Sequence, residues 1–415
     1  MKVLVCTSTF PSNSSDKVPD FVRQQIIEMR LADPKMEFVV LAPHSYGITK
    51  EDIVEHEYYK EYRFHYFWLR RMETLTTWGI LPALRQNPLM YFVIPFFALS
   101  QLMALYRVVT KENPDVLYAH WFTPQAINVW IVSLLKNKPF VFTTHASDVS
   151  ILAKFPFTKY LVRTISARAQ AITAVSQKTL NKLIKFLDKK TWKQIQSKTF
   201  VLPMGTDLIV TKSNQSASTA FLKKLGIQKE EIVILFLGRL AEKKGVEYLI
   251  KAYSTLSTIE RKKTTLIIAG DGYSRTKLEK LSKPVTGRII FAGFVSGSQK
   301  SALIGRANII CIPSVTNSQG DEEGMPVVLI EALSLGKIVI ISSVANVDET
   351  IRHGLNGFVF KQKDPNAIRH AIRVVSRKTR RELDTISQQA IKDSQKYSWK
   401  NLVPNYINIF KGDLS

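Results

Sequence analysis

Short apolar runs alternate with longer amphipathic stretches along the first half of the chain. The runs Lys2 to Thr7, Phe38 to Leu41, Asp115 to Ala119, Phe140 to Thr144 and Ala171 to Ala174 are mostly aliphatic or aromatic. Runs this short and apolar are typical of strands that are buried on both faces of a parallel sheet. The alternation therefore predicts a doubly wound α/β domain.

The second half repeats this alternation and adds a basic loop. The apolar run Ile232 to Leu237 leads through the loop 238–245 into a helical pattern. In that loop Gly238 permits a tight turn, Arg239 offers a planar pair of donors and Lys244 offers a compact charge. A strand, a basic loop and a helix in this order indicate a phosphate-binding site, although loop lysines that are merely solvated are the alternative.

Two carboxylates flank a predicted helix start further along the chain. Pro326 suits the first helical turn and Gly336 suits the position after the last one, so the pattern predicts a helix from about Pro326 to Leu335. Glu323 then precedes the helix and Glu331 lies in its second turn. Free N–H groups at a helix N-terminus attract anions, so a diphosphate between hydroxyl groups, as in a nucleotide sugar, fits this segment. An amphipathic helix with one capping and one solvated glutamate is the alternative.

The charge balance is unusual for an otherwise ordinary globular composition. The chain has 415 residues and a formal net charge of +24, with 45% hydrophobic and 22% charged residues. This excess indicates an anionic partner. The chain has no zinc-finger spacing or RNA-binding aromatic signature, and its basic residues are dispersed, so we expect no nucleic-acid partner and favour an anionic membrane surface.

The two cysteines and one apolar stretch bear on the compartment. Cys6 and Cys311 both lie in predicted strands, which argues against a disulfide framework and favours a reducing compartment. We therefore expect a cytoplasmic protein, peripheral at the inner face of the cell membrane if it binds lipid. Residues 86–106 carry no charge. A membrane span, a monotopic membrane contact and a buried domain helix all remain open for this stretch.

Ligands of parallel α/β sheets collect at the carboxyl ends of the strands. That rule draws attention to three loops as the side of the site that would bind the acceptor, the second substrate of a group transfer. These loops are Ser8 to Asp20, His120 to Pro124 and His145 to Asp148. His120 and His145 each close a predicted strand, which raises the expectation of a functional role above that of an ordinary packed histidine. The acceptor-side candidates are Ser12, Asn13, Ser14, Asp16 and His120.

Several of these segments together resemble the retaining glycosyltransferases of family four. The segments of the second half that carry the resemblance are Gly238-Arg239-Leu240, Lys244-Gly245, Ala269 to Gly272, Glu323 to Glu331, Val347 to Ile351 and Gly354 to Gly357. In the first half, Thr144 to Asp148 is similar to the family's His-Gly-Ser-Asp loop, with Ala146 in place of glycine. The resemblance implies the α/β GT-B fold, in which two facing Rossmann-like domains have parallel sheets and a C-terminal helix crosses back to the first domain.

The resemblance also implies residue roles. Arg239 and Lys244 would bind the diphosphate, Glu331 the ribose and Glu323 the donor sugar, and the backbone of 324–326 would line that sugar. The donor-binding set is Gly238, Arg239, Lys244, Glu323, Gly324, Met325, Pro326 and Glu331. The catalytic set is His145, Asp148, His120, Arg239 and Lys244. Within it, His145 would donate a hydrogen bond to the sugar and Asp148 would position substrate hydroxyl groups.

The length and the polar stretches predict the domain boundaries. Residues 1–205 form a predicted N-terminal Rossmann-like acceptor domain, 206–229 a linker region and 230–397 a C-terminal Rossmann-like donor domain. The linker is predicted from the polar run Lys212 to Ser216. By resemblance, residues 398–415 form the helix that packs back on the N-terminal domain.

These features together with the resemblance predict a hexosyltransferase that acts on a glycan or lipid-linked acceptor in cell-surface polysaccharide or glycolipid biosynthesis. The resemblance implies a UDP- or GDP-sugar donor and retention of the anomeric configuration. The chain has no Asp-x-Asp pair, so we expect no metal or other cofactor, with positive side chains in the metal's place. The alternatives are a sugar-nucleotide epimerase or phosphorylase on the same fold, and a non-catalytic nucleotide-sugar binding or scaffold protein. The sequence leaves the oligomeric state open.

Overall fold

The chain divides into two compact units, which we call unit 1 and unit 2. The computed structural model describes residues 1–12, 16, 18–77, 79–145, 147–152, 157–206, 215–228, 230–318, 320, 322–345 and 350–413. Unit 1 comprises Met1–Met204 with Trp399–Ser415, and unit 2 comprises Gly205–Ser398. Both divisions lie beside the predicted boundaries at residues 205 and 398.

Unit 1 is built on an eight-stranded sheet. Its strands are β1 Lys2–Cys6, β2 Glu37–Pro43, β3 Ile53–Glu55, β4 Lys60–Phe64, β5 Val116–His120, β6 Phe140–Thr144, β7 Ala171–Ala174 and β8 Thr199–Val201. The strand order is β3-β4-β2-β1-β5-β6-β7-β8, and every pair is parallel except β3 with β4. The five strands predicted in this half are all present.

Helices cover both faces of this sheet. They are α1 Phe21–Ala32, α2 Ile80–Gln86, α3 Val93–Glu112, α4 Ile127–Lys136, α5 Ser147–Leu152, α6 Thr158–Arg168, α7 Gln177–Ile184 and α8 Lys189–Ile195. Alternate residues of β1 enter different cores: Leu4 and Cys6 join one apolar cluster, while Val3 and Val5 join the other. A strand with both faces apolar is therefore explained by a core on each side of the sheet.

Unit 2 has the same architecture with a six-stranded, wholly parallel sheet. Its strands are β9 Ile232–Leu237, β10 Thr264–Ala269, β11 Arg288–Gly293, β12 Ile309–Ile312, β13 Ile338–Ser342 and β14 Phe358–Phe360, in the order β11-β10-β9-β12-β13-β14. Its helices are α9 Gln215–Lys224, α10 Val246–Ser254, α11 Thr258–Lys262, α12 Arg275–Ser282, α13 Gly297–Arg306, α14 Val327–Ser334, α15 Pro365–Ser376 and α16 Arg380–Ser394. Each unit is thus a Rossmann-like α/β domain, as predicted.

The predicted linker 206–229 is wrong in part. Residues 215–224 form helix α9, which belongs to unit 2 and packs beside α13. The physical reason is a set of apolar side chains in the second half of α9 and just after it, since Phe221, Leu222, Leu225 and Ile227 pack against one of the two cores of unit 2. The first three residues of the polar run Lys212 to Ser216 lie outside the described residues, and its last two are the first two residues of α9.

The C-terminal helix α17, Trp399–Lys411, packs in unit 1. Trp399, Leu402, Tyr406 and Phe410 are buried in the same apolar cluster as Val3 and Val5. The Tyr406 hydroxyl also donates to the carbonyl oxygen of Leu202 at 3.1 Å. The chain therefore leaves unit 1 after Met204 and returns to it at Trp399, as the resemblance implied.

The uncharged stretch 86–106 is part of a domain helix. Val93, Phe97 and Leu105 of α3 are buried in the core of unit 1, and the Gln101 amide oxygen accepts from Asn128 Nδ2 of α4 at 2.9 Å. Within the described residues, Pro88–Glu112 is the one helical segment that is long and apolar enough to cross a bilayer, and 28% of its most apolar window is buried. The structure thus supports a domain helix with one packed face and one exposed apolar face.

Candidate active site

The loops that follow β9 and β10 lie directly against one another in unit 2. The Gly238 N–H donates to the Ala269 carbonyl at 3.0 Å, and the Leu240 N–H donates to the Asp271 carbonyl at 2.9 Å. Gly270 has φ +134°, and a Cβ there would lie 1.9 Å from the Gly238 carbonyl oxygen. Glycine is therefore needed at position 270 because the two backbones touch.

A second close approach fixes the basic loop. Gly245 has φ +64°, and a Cβ at this position would lie 1.9 Å from the carbonyl oxygen of Pro313, in the loop after β12. The Val315 N–H donates to the Lys243 carbonyl at 2.8 Å. These contacts hold the basic loop 238–245 beside the segment that leads to Glu323.

Glu323 is the centre of a buried polar cluster. The Lys244 ammonium contacts its Oε1, and the Ser314 hydroxyl donates to its Oε2 at 2.5 Å. Burial raises the pKa of Glu323, but the ammonium groups of Lys244 and Lys243 outweigh it, so the net pKa lies below its ordinary value. Glu323 is therefore an ionised carboxylate with both oxygens engaged.

Arg239 lies at the edge of this cluster. Desolvation lowers the pKa of its guanidinium, while the nearby Tyr273 and Glu323 raise it, and the net shift is downward. An arginine remains charged in any protein environment. The cluster thus contains two cations, Arg239 and Lys244, at the carboxyl edge of the sheet, where phosphate was predicted.

Glu331 forms a separate pair on helix α14. Its residue surface is 4% exposed, and the Lys300 ammonium of α13 contacts its Oε1. Its Oε2 is buried and has no hydrogen-bond partner within the described part of the chain. Buried polar atoms are nearly always partnered, so this carboxylate oxygen is a place where a water molecule or a ligand supplies the donor.

The helix predicted from about Pro326 to Leu335 is confirmed, with each end shifted inwards by one residue. Pro326 is the N-cap residue, with φ −68° and ψ 118°, and α14 runs from Val327 to Ser334. Gly336 follows the helix with φ +60°, as expected for the residue after the last turn. Gly324 and Met325 are half-buried in the loop that enters the helix, and Pro326 is buried.

In unit 1 the structure brings the two predicted histidines together. His120 closes β5 and His145 follows β6, and His120 Nδ1 lies 3.1 Å from His145 Nε2. Burial lowers the pKa of His145 to about 3, and burial together with His145 lowers the pKa of His120 well below its ordinary value. Both rings are therefore neutral at physiological pH.

The neutral pair has a preferred proton arrangement. His120 Nε2 is buried without a hydrogen-bond partner in the described structure. A buried unpaired N–H is costlier than a buried unpaired acceptor, so His120 carries its proton on Nδ1 and donates it to His145 Nε2. His145 then carries its own proton on Nδ1, where it can donate to a ligand.

Asp148 lies beside this pair but faces the backbone. Its Oδ2 accepts from the Phe122 N–H at 2.7 Å, and its Oδ1 accepts from the His145 N–H at 3.0 Å and the Thr144 hydroxyl at 3.2 Å. Burial raises the pKa of Asp148, against the lowering effect of these donors. The sequence predicted contact with substrate hydroxyls, whereas this geometry makes Asp148 a positioning residue for the two histidine loops.

Two aromatic rings that the sequence reasoning missed enclose His145. The Trp121 ring stacks on the imidazole with centroids 4.7 Å apart, and the Phe21 ring lies 5.4 Å from it. Trp121 has φ +74°, a backbone state that only neighbouring constraints maintain in a non-glycine residue. The sequence signal that could have identified Trp121 is its position directly after His120, at the end of a predicted strand.

The remaining acceptor-side candidates lie in the loop after β1. The Ser12 N–H donates to Asp16 Oδ2 at 2.9 Å, and the Ser12 hydroxyl lies 3.0 Å from the Thr49 hydroxyl. Asp16 Oδ1 also accepts from the Val18 N–H at 3.3 Å. Asp16 thus holds the loop in shape. Asn13 and Ser14 lie outside the described residues, as do Val347 to Glu349 of the motif in the second half.

Sequence reasoning also missed two partners in unit 2. Ser314 is the second residue after β12 and lies 9 residues before Glu323, whereas Lys300 on α13 lies 31 residues before Glu331. A strand end was a usable signal for Ser314. Nothing in the local pattern distinguishes Lys300 from other helix lysines.

Two family profiles match the chain, one after the other. The profile described as Glycosyltransferase Family 4 matches residues 30–208, and the profile described as Glycosyl transferases group 1 matches residues 218–393. The first match falls almost wholly in unit 1 and the second wholly in unit 2. The chain therefore belongs to the family-four glycosyltransferases.

Individual relatives and a solved structure agree with this assignment. The chain is 37% identical over 195 residues to an uncharacterized glycosyltransferase of Methanocaldococcus jannaschii, covering 46% of this chain and 47% of the relative. It is 28% identical over 262 residues to the putative teichuronic acid biosynthesis glycosyltransferase TuaC of Bacillus subtilis, covering 62% of this chain and 60% of the relative. The chain thus spans about half to three fifths of the length of these relatives.

A solved structure is similar over the whole chain. The structure of Anabaena HepE in complex with UDP-glucose matches with a TM-score of 0.70 and 16% identity, and 99% of each chain is covered. This similarity shows the GT-B fold.

Proposed function

We propose that the protein is a retaining, metal-independent glycosyltransferase. It moves a hexosyl unit from a UDP- or GDP-sugar to a hydroxyl group of a glycan or lipid-linked acceptor, in cell-surface polysaccharide or glycolipid biosynthesis. The observation that carries the donor assignment is the unpartnered Oε2 of Glu331, close in sequence to the N-terminus of α14. A ribose hydroxyl supplies the donor that this oxygen lacks.

The second support is the charge arrangement around Glu323. Additional negative charge accumulates on the departing diphosphate during glycosyl transfer, and the two cations Arg239 and Lys244 stabilise this more highly charged transition state more strongly than the bound sugar nucleotide. Without a ligand, Lys244 contacts Glu323. The diphosphate then competes with Glu323 for the ammonium, which leaves the carboxylate free to accept from the sugar hydroxyls.

The state of Glu323 also bears on stereochemistry. A double displacement requires an uncommitted carboxylate as nucleophile beneath the anomeric carbon. In the proposed complex the Ser314 hydroxyl donates to Oε2 of Glu323 and the donor-sugar hydroxyls occupy Oε1, and the nearby cations that lower the pKa of Glu323 also weaken it as a nucleophile. With Glu323 disfavoured as nucleophile, the retention that the family resemblance implies is best explained by a leaving phosphate that assists the acceptor hydroxyl on the same face of the sugar.

The neutral His145 suits hydrogen bonding rather than proton transfer. A general acid or base works best when its pKa lies near the working pH, and burial lowers the pKa of His145 to about 3. A neutral imidazole with its proton on Nδ1 donates a hydrogen bond to a sugar hydroxyl or to the developing charge. Trp121 and Phe21 exclude water from its faces.

A thermal-shift panel tests the donor assignment. The folded protein is heated with UDP, GDP, ADP and their common sugar conjugates, because a ligand that binds only the folded state raises the Tm by mass action. The proposal predicts a selective rise with one uridine or guanosine series, unchanged by EDTA. No rise with any nucleotide contradicts it.

Product analysis then separates the reaction classes. The sugar nucleotide that raises the Tm is incubated with polar-lipid and glycan extracts, and the products are resolved by chromatography and NMR. Sugar in the extract with the donor's anomeric configuration supports the proposal. A changed sugar nucleotide indicates an epimerase, a sugar phosphate indicates a phosphorylase, and bound but unchanged donor indicates a binding protein.

The exposed face of α3 supports a membrane-associated acceptor. The segment 89–106 exposes Leu89, Tyr91, Phe92, Phe96, Leu99, Met103 and Tyr106, and Trp68 extends this surface with its ring 5.2 Å from that of Phe96. Basic side chains border it at Arg70, Arg71, Arg107 and Lys136, the last lying 4.0 Å from the Tyr106 ring centre. Aromatic and aliphatic side chains with a basic rim match the interface of an anionic membrane. This surface supports our proposal that the protein is cytoplasmic and binds peripherally to the inner face of the cell membrane.

Liposome flotation tests this placement. The parent protein should float with vesicles that contain anionic lipid and bind neutral vesicles more weakly. Phe92→Asp and Leu99→Asp should each reduce binding at least tenfold, because each places a charge in the apolar interface. Ile259→Asp is the matched control, since Ile259 of unit 2 is also exposed but lies outside the surface. Equal flotation of all variants, or none by the parent, contradicts the placement.

A further inference from the structure

Three metal-ligating side chains meet in unit 1 away from the histidine pair. They are His44, directly after β2, His65, directly after β4, and Glu73, directly after the short 3-10 turn Arg70–Met72. Their ligand atoms all lie within 4.8 Å of one another. It is the one such group in the part of the chain that the structure describes.

The two imidazoles converge on the same carboxylate oxygen. His44 Nδ1 lies 2.7 Å and His65 Nδ1 lies 2.9 Å from Glu73 Oε2. The Glu73 side chain is 0% exposed, so this oxygen is inaccessible to bulk water. His44 Nδ1 is itself buried and, although close to the carboxylate, lacks the geometry of a hydrogen bond. Two imidazole nitrogens and one carboxylate oxygen thus face one another, and a single shared proton cannot make good hydrogen bonds to all three atoms.

The atoms on the far side of each ligand are already held. His65 Nε2 lies 3.1 Å from Asp52 Oδ1, an arrangement that fixes the tautomer and orients Nδ1 towards Glu73. Glu73 Oε1 accepts from the N–H groups of Tyr66 and Phe67 at 2.8 and 3.2 Å and from Arg70 at 3.0 Å. Metal-binding imidazoles and carboxylates are typically supported by such outer hydrogen bonds.

The side-chain types also suit a cation. Two imidazoles and one carboxylate are a frequent ligand set for zinc.

We propose that His44, His65 and Glu73 bind one divalent transition-metal ion of the zinc class. Zinc ligands lie about 2.0–2.2 Å from the ion, so a tetrahedral site separates them by roughly 3.3 Å and requires these side chains to open by about half an ångström. The ion joins the loops after β2 and β4 to the segment 66–76. Its ligands all lie in unit 1 and none belongs to the donor-binding set, so we assign the ion no step in the proposed transfer chemistry.

Competition titration tests the proposal directly. Tag-free full-length protein is stripped with EDTA, desalted and titrated with Zn²⁺ against a chromophoric chelator. We expect one tightly bound equivalent in the parent and at least a 100-fold loss of affinity in the double variant His44→Gln/His65→Gln. His56→Gln is the matched control, because His56 also faces a carboxylate, Glu61 at 3.0 Å, but belongs to no three-ligand group. The control should bind zinc like the parent.

X-ray absorption on the zinc-loaded parent does not depend on the folding of any variant. It should show nitrogen and oxygen ligands, two of them imidazoles, and no sulfur. No tight equivalent in the parent overturns the proposal, as does unchanged affinity in a folded double variant. His145→Gln tests the other histidine pair, and loss of binding there, but not in the double variant, also overturns it.

Discussion

Replacing Glu331 by alanine removes the side chain that we assign to the donor ribose. In the unliganded protein Oε1 is engaged by Lys300 and Oε2 has no partner, so one oxygen is available for one strong hydrogen bond from a ribose hydroxyl. A hydrogen bond to a charged group contributes about 1.5–3 kcal/mol. Since 1.4 kcal/mol is a factor of ten in affinity, Glu331→Ala should weaken nucleotide binding about 10- to 150-fold.

Isothermal titration calorimetry with the nucleotide that raises the Tm measures this loss. The Lys300 side chain that loses its partner is 28% exposed, so water solvates it and the variant should remain folded. Glu230→Ala is the matched control, because Glu230 is an exposed glutamate of the same unit, and its Kd should equal that of the parent. A folded Glu331→Ala protein whose Kd lies within twofold of the parent's refutes the ribose assignment.

Three further predictions concern the free energy of unfolding and its dependence on Asp148, Gly270 and His145. Asp148→Asn places an amide donor against a backbone N–H, so urea denaturation should show a free energy of unfolding lower by about 1–3 kcal/mol. Turnover should fall with stability, and a variant as stable as the parent contradicts the positioning role. Gly270→Ala should destabilise the protein by about 2–4 kcal/mol because its Cβ meets the Gly238 carbonyl, whereas Gly305→Ala, exposed in α13, should be neutral or stabilising by up to about 1 kcal/mol. His145 has a pKa of about 3 in the folded state and about 6.5 unfolded, so the unfolded chain binds the extra proton and stability is lost as pH falls between these values. Going from pH 7 to pH 5 should cost about 2 kcal/mol through His145, and an equally steep pH dependence in His145→Gln contradicts this.

Strand positions were predictable because buried parallel strands leave a strong pattern. Runs such as Phe140 to Thr144 are apolar on both faces, and the structure gives that strand the same bounds. The region 206–229 was harder, because helix α9 buries only the narrow stripe that includes Phe221 and Leu222. A polar run beside a weakly apolar helix resembles a linker until the packing partner, α13, is known.

The candidate site was predictable where chemistry lies at strand ends and helix starts. Arg239 and Glu323 could be proposed from the sequence because each lies in a loop whose position in the fold follows from the neighbouring strand or helix. Lys300 was missed because its contact with Glu331 depends on the three-dimensional placement of α13 relative to α14. The substrate contact predicted for Asp148 stays a prediction, and only three-dimensional geometry shows that its oxygens accept from the backbone N–H groups of Phe122 and His145.

The central claim is that Arg239 stabilises the departing phosphate of a sugar nucleotide. The most direct test follows isotope-labelled sugar from the selected donor into a polar-lipid and glycan extract, for the parent and for Arg239→Ala. We predict equal amounts of transferred sugar and released nucleoside diphosphate in the parent, and a turnover that falls roughly 100-fold or more in the variant. A folded Arg239→Ala protein that transfers sugar at the parent rate would contradict the claim.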